Sequence, residues 1–95
     1  MIKISRSDAK KIGKFYNINF NIIDEKEWHY GLNVELEHGT KFGKITNITN
    51  NNIHLTAKIA IAHLIESPDY YKRLKKMEDS MDKYWKYKQK PSIFN

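Results

Sequence analysis

The chain has 95 residues, a formal net charge of +6 and no cysteine. That length supports one domain rather than two, and the lack of cysteine excludes a disulfide framework and any thiolate zinc site. No apolar run approaches the ~18 residues of a membrane span, and the opening MIKISRSDAKK lacks the apolar centre of a signal peptide. The expected setting is therefore cytoplasmic, neither secreted nor membrane-bound. Charge is uneven, with basic ends flanking an acidic centre. All but two of the 17 basic residues are lysine, and Asn and Ile are abundant, which is the residue usage of AT-rich coding.

The first predicted helix covers 6–16. Ser5 is its expected N-cap, and Ala9, Ile12, Phe15 and Tyr16 fall at helical spacing. Gly13 weakens this helix, and Asn17 and Asn19 suit its exit. Phe20, Ile22 and Ile23 read as a buried connector. The second helix, 25–38, starts from Asp24, with Glu25 and Glu27 in the first turn where the helix dipole favours acids. Trp28, Leu32 and Leu36 repeat every four residues, which outweighs the strand-like alternation of Val34 to Glu37. Gly39 is the expected C′ residue.

Residues 39–52, with two Gly and four Asn, read as a long loop. Asn51 or Asn52 would cap a third helix over 53–66. Its Ile59-Ala60-Ile61-Ala62 run is apolar nearly all round, so the third helix is expected at the centre of the domain. Ser67 and Pro68 then read as the N-cap and N1 of a fourth helix, 68–89. There Tyr70, Leu74, Met77, Met81 and Tyr84 trace one stripe. The predicted fold is all-α: a compact four-helix domain over 1–90 and a tail over 91–95. The predicted core is Ile12, Phe15, Trp28, Leu32, Leu36, Ile59, Ala60, Leu64, Leu74 and Met77.

Several blocks carry a family likeness. They are Ala9 to Gly13, then Gly31 with Val34 to Gly39 (VELEHG), then Thr46, Asn47 and Thr49. The last runs from Lys58 to Glu78 in the pattern KIAxAHLxExPDYYxRLxxME. In these the chain resembles a small domain family of unknown function found in bacteria, tailed phages and large DNA viruses. The likeness implies a compact helical domain and no particular activity. The family usually carries Asp after TNxT, where this chain has Asn50-Asn51-Asn52. With the AT-rich residue usage, the likeness points to a viral source, in the infected host cell or the virion.

Four groups of residues could carry function. Glu35 with His38, and His63 with Glu66, are i, i+3 pairs on two helices. Facing Glu/His pairs are how helical bundles build metal sites, here for Zn, Fe or Mn; the alternative is polar glue between helices. Thr46, Asn47 and Thr49 could form a polar pocket with Tyr71, or simply satisfy the loop backbone. Asp69 suits a first helical turn, and Tyr70 and Tyr71 read as core aromatics, with Tyr70 heading the stripe. Lys72, Lys76, Lys83, Lys86 and Lys90 with Trp85 could bind nucleic acid without sequence preference.

No nucleophile stands out beside the histidines, which leans away from an enzyme. The favoured expectation is an accessory module that meets a protein partner or a second copy. The rivals are a small basic nucleic-acid-binding protein and a metal-binding protein or metal-dependent hydrolase.

Overall fold

The computed structural model describes residues 3–95. Within them the chain forms α1 (Arg6–Phe15), α2 (Glu25–Glu35), α3 (Ile53–Glu66) and α4 (Tyr70–Trp85), with no strand. The all-α reading holds. α2 tightens into a 3-10 turn, Leu36–His38, in place of the α-helix expected there. α4 ends at Trp85, four residues short of its predicted end.

Capping follows the sequence in three places. Ser5 accepts from the Asp8 amide at 3.0 Å, Asp24 from Lys26 at 2.7 Å and Asn52 from Leu55 at 3.0 Å. Each side-chain oxygen satisfies an amide that the first helical turn leaves unpaired. The fourth start differs. Pro68 and Asp69 form a turn, and the helix begins at Tyr70. Ser67 spends its hydroxyl on Asp69 rather than on a cap. That bond, and then Arg73, hold the Asp69 carboxyl below its usual range.

Gly39 is not left-handed, as a C′ glycine would be: its φ is −92°. Its lack of a side chain serves another purpose, because a Cβ there would lie 2.0 Å from Asn51 Oδ1. Asn51 uses that approach to accept from the Thr40 amide at 3.0 Å and to donate to the Thr40 hydroxyl at 2.8 Å. It thereby closes the loop on itself.

The central helix is α2, which packs against α1, α3 and α4. The expectation that α3 would be central fails because α3 buries one face only, through Thr56, Ala57, Ala60 and Leu64. Its Ile65 is exposed.

The core is Ile4, Ala9, Trp28, Leu32, Leu36, Ala57, Ala60, Leu64 and Tyr71. Ile12, Ile59 and Leu74 are half-buried. Phe15 is 71 % exposed and outside the core. α1 meets α2 through small Ala9 and Gly13, and Trp28 donates to the Ala9 carbonyl at 2.8 Å. Phe15 lies about 120° round the helix from Ala9 at 100° per residue. It rests edge-on to Tyr16 and His54. Ile22, expected in a buried connector, is also exposed.

The segment before α1 is tied down by α2. Asn33 Oδ1 accepts from the Ile4 amide at 2.8 Å, while Asn33 Nδ2 donates to the Ile4 carbonyl at 3.0 Å. Along its long axis the domain extends 43 Å against 22–27 Å across. Met77, Met81 and Tyr84 on the far part of α4 are exposed. Met77 therefore leaves the predicted core. Among the described residues no helix is long and apolar enough to cross a membrane.

Candidate functional site: the α2 grip on Tyr71

The polar centre of the domain is built on one face of α2. Glu27, Gly31 and Glu35 follow at intervals of four and so stand above one another. All three engage Tyr71, the second residue of α4. Glu27 Oε2 accepts from the amides of Tyr71 at 2.6 Å and Lys72 at 3.1 Å. It is the cap of α4, supplied from another helix, since Asp69 makes no side-chain cap. The Tyr71 ring lies against Gly31, where a Cβ would sit 2.4 Å from it. The Tyr71 hydroxyl donates to Glu35 Oε2. One tyrosine is thus held at its amide, its ring and its hydroxyl.

Tyr71 has no exposed surface, and Glu35 is 2 % exposed. The expectation that Tyr70 heads the buried stripe is corrected: Tyr71 is the buried ring and Tyr70 is half-buried. Burial first, and then the hydrogen bond and charge of Glu35, push the Tyr71 hydroxyl far above the usual tyrosine range. The hydroxyl stays a donor, as a buried carboxylate requires.

The predicted Glu/His residues do converge here. His38 Nε2 lies 3.4 Å from Glu35 Oε1, and His63 Nε2 lies 3.8 Å from Glu35 Oε2. His63 Nδ1 is 3.8 Å from Glu66 Oε2. His63 also stacks on Tyr70, with ring centres 4.2 Å apart. These are ion-pair distances, and the formal hydrogen bond of Glu35 goes to Tyr71. Among the described residues two buried side-chain atoms lack a hydrogen-bond partner, His63 Nδ1 and Thr49 Oγ1. Among the described residues no three His, Asp or Glu side chains are grouped to hold a metal ion.

The polar pocket of Thr46, Asn47, Thr49 and Tyr71 does not assemble as expected. Thr49 is buried, and its amide donates to the His38 carbonyl at 3.1 Å. Asn47 instead serves its own loop by accepting from the Asn50 amide at 2.8 Å. Thr46 is exposed.

The lysines divide as well. Lys72, Lys76 and Lys83 fall within about 40° of one another at 100° per residue, opposite the Met77/Met81 stripe. Lys75 sits beside them, paired with Asp79 at 3.1 Å. Trp85 and Lys90 instead line a groove on the stripe side with Leu74, Met77 and Met81. The six residues named for nucleic acid therefore do not share one face.

Glu27 was read only as a first-turn acid, so the grip was missed. Its signal was present as the E27-x3-G31-x3-E35 spacing, which places two acids either side of a gap on one helical face.

The Tyr71 hydroxyl has a pH consequence. A tyrosine in the unfolded chain ionises near its ordinary value of 10.0, whereas the folded chain keeps the Tyr71 proton. Above that pH the unfolded state binds fewer protons, so stability falls as pH rises from about 10 toward the raised native value. The slope is up to roughly 1.4 kcal/mol per pH unit. Urea melts between pH 8 and pH 11 should show this loss, and Tyr71→Phe should remove that share of the slope. An unchanged slope in Tyr71→Phe would contradict the assignment.

The fold and site define a small all-α domain in which one helix clamps the first turn of another. The chain belongs to the family described as Protein of unknown function (DUF5661), whose model matches residues 9–80. No curated protein and no solved structure matches the chain.

Proposed function

We propose that the chain is a non-enzymatic interaction module in which the α2 grip on Tyr71 sets the angle of α4 and presents its far half as a contact surface. The observation that carries this reading is the position of Glu35. Glu35 is 2 % exposed, and its carboxylate is committed to a tyrosine on another helix. A carboxylate so placed joins elements and offers little to a substrate. His38 and His63 flank it, at 3.4 Å and 3.8 Å from its two oxygens. A virus or phage-type system is the proposed source, supported by the lysine-, asparagine- and isoleucine-rich usage of the chain.

The test is elemental analysis of natively purified protein, with thermal melts of wild type and His63→Ala with and without chelator. The expected result is no stoichiometric metal and melting temperatures that ignore the chelator. A stoichiometric metal, with a chelator-sensitive melt that His63→Ala abolishes, would make Glu35, His38 and His63 a metal centre and overturn this reading.

A further inference from the structure

The far half of α4 borders a groove of about 450 Å³ whose apolar floor is Leu74, Met77, Met81 and Trp85. Three acids, Glu37, Glu78 and Asp82, and one base, Lys90, also line it. Glu37 is paired with Lys41 at 3.4 Å. Neither Glu78 nor Asp82 has an ion-pair partner within 4 Å among the described residues. An apolar floor with unpaired acids above it fits a segment that is apolar and basic.

The chain carries such a segment itself. Residues 86–94 read KYKQKPSIF. Tyr87 and Phe94 are exposed, and Ile93 is 87 % exposed. Lys86, Lys88 and Lys90 form no ion pair among the described residues. Large apolar side chains left in water beside unpaired lysines complement the groove in both chemistry and charge. The segment also leaves from the groove's own rim, where Lys90 lines it.

We propose that this groove takes residues 86–94 of a second copy, with the two copies exchanging segments about a two-fold axis. Such an interface is isologous, so one groove and one segment on each chain suffice. This deepens the interaction-module reading and rests on it.

Sedimentation velocity of the full chain at rising concentration is the test, with circular dichroism to confirm the fold of every variant. The wild type is expected to form a concentration-dependent dimer. Glu78→Lys with Asp82→Lys in one chain makes a basic groove that repels its own basic segment. Lys86→Glu, Lys88→Glu and Lys90→Glu in another make an acidic segment that repels its own groove. Each is expected to weaken self-association at least about tenfold, since like charges set together across an interface repel. Mixing the two restores dimers, because each segment then meets a groove of opposite sign. A wild type that stays monomeric overturns the exchange, as do variants that dimerise as well as the wild type or a mixture that stays monomeric. None of these results bears on the chelator test of the Glu35 cluster, so the two readings fail separately.

Discussion

Tyr71→Phe is expected to lower the melting temperature by about 10–15 °C, as a loss of roughly 2 kcal/mol would in a domain of this size. The substitution leaves the ring in place and deletes one atom. Its effect is large because that atom serves the carboxylate of Glu35, a residue only 2 % exposed. A buried acceptor deprived of its donor keeps the desolvation penalty and loses the compensation. Glu35→Gln should be milder, since the amide still accepts from the hydroxyl and carries no charge. The double variant should lose less than the sum of the singles, by about 1–2 kcal/mol, as residues in one network do. Chemical denaturation of the four proteins measures this. Additive losses would show that the hydroxyl and the carboxylate do not act together.

Gly31→Ala should destabilise the domain by about 2 kcal/mol or more, although alanine is the better helix former by ~1 kcal/mol. Two effects oppose each other, and distance decides between them. A Cβ at this position would lie 2.4 Å and 2.6 Å from two atoms of the Tyr71 ring. That ring has no exposed surface and is held at both ends, so it cannot swing aside. The new methyl must push α2 and α4 apart. The same substitution in a Tyr71→Leu background should be less harmful, because the smaller side chain leaves room. If Gly31→Ala stabilises the wild type, the close approach of α2 to Tyr71 is not what holds α4.

Both predictions concern the hold of α2 on Tyr71, which at Glu35 joins residues 36 positions apart, and it divides what the sequence could show from what it could not. The sequence by itself determined the four helices and three of their caps. Helical period and capping are local: Ser5, Asp24 and Asn52 each act on an amide two or three residues away. The Glu35/His38 and His63/Glu66 pairs were legible for the same reason, since i, i+3 spacing alone sets them side by side on a helix.

The tertiary structure decided which faces meet. Periodicity says that a helix has an apolar stripe and is silent about what covers it. The α4 stripe stays in water beyond Leu74, where the domain offers nothing to cover it. Phe15 stays out because α1 approaches α2 through its smallest side chains. Glu27, read as an acid for its own helix, caps another. Buried area and polar satisfaction are properties of pairs of elements, and only the folded chain brought Glu27, Gly31 and Glu35 to Tyr71.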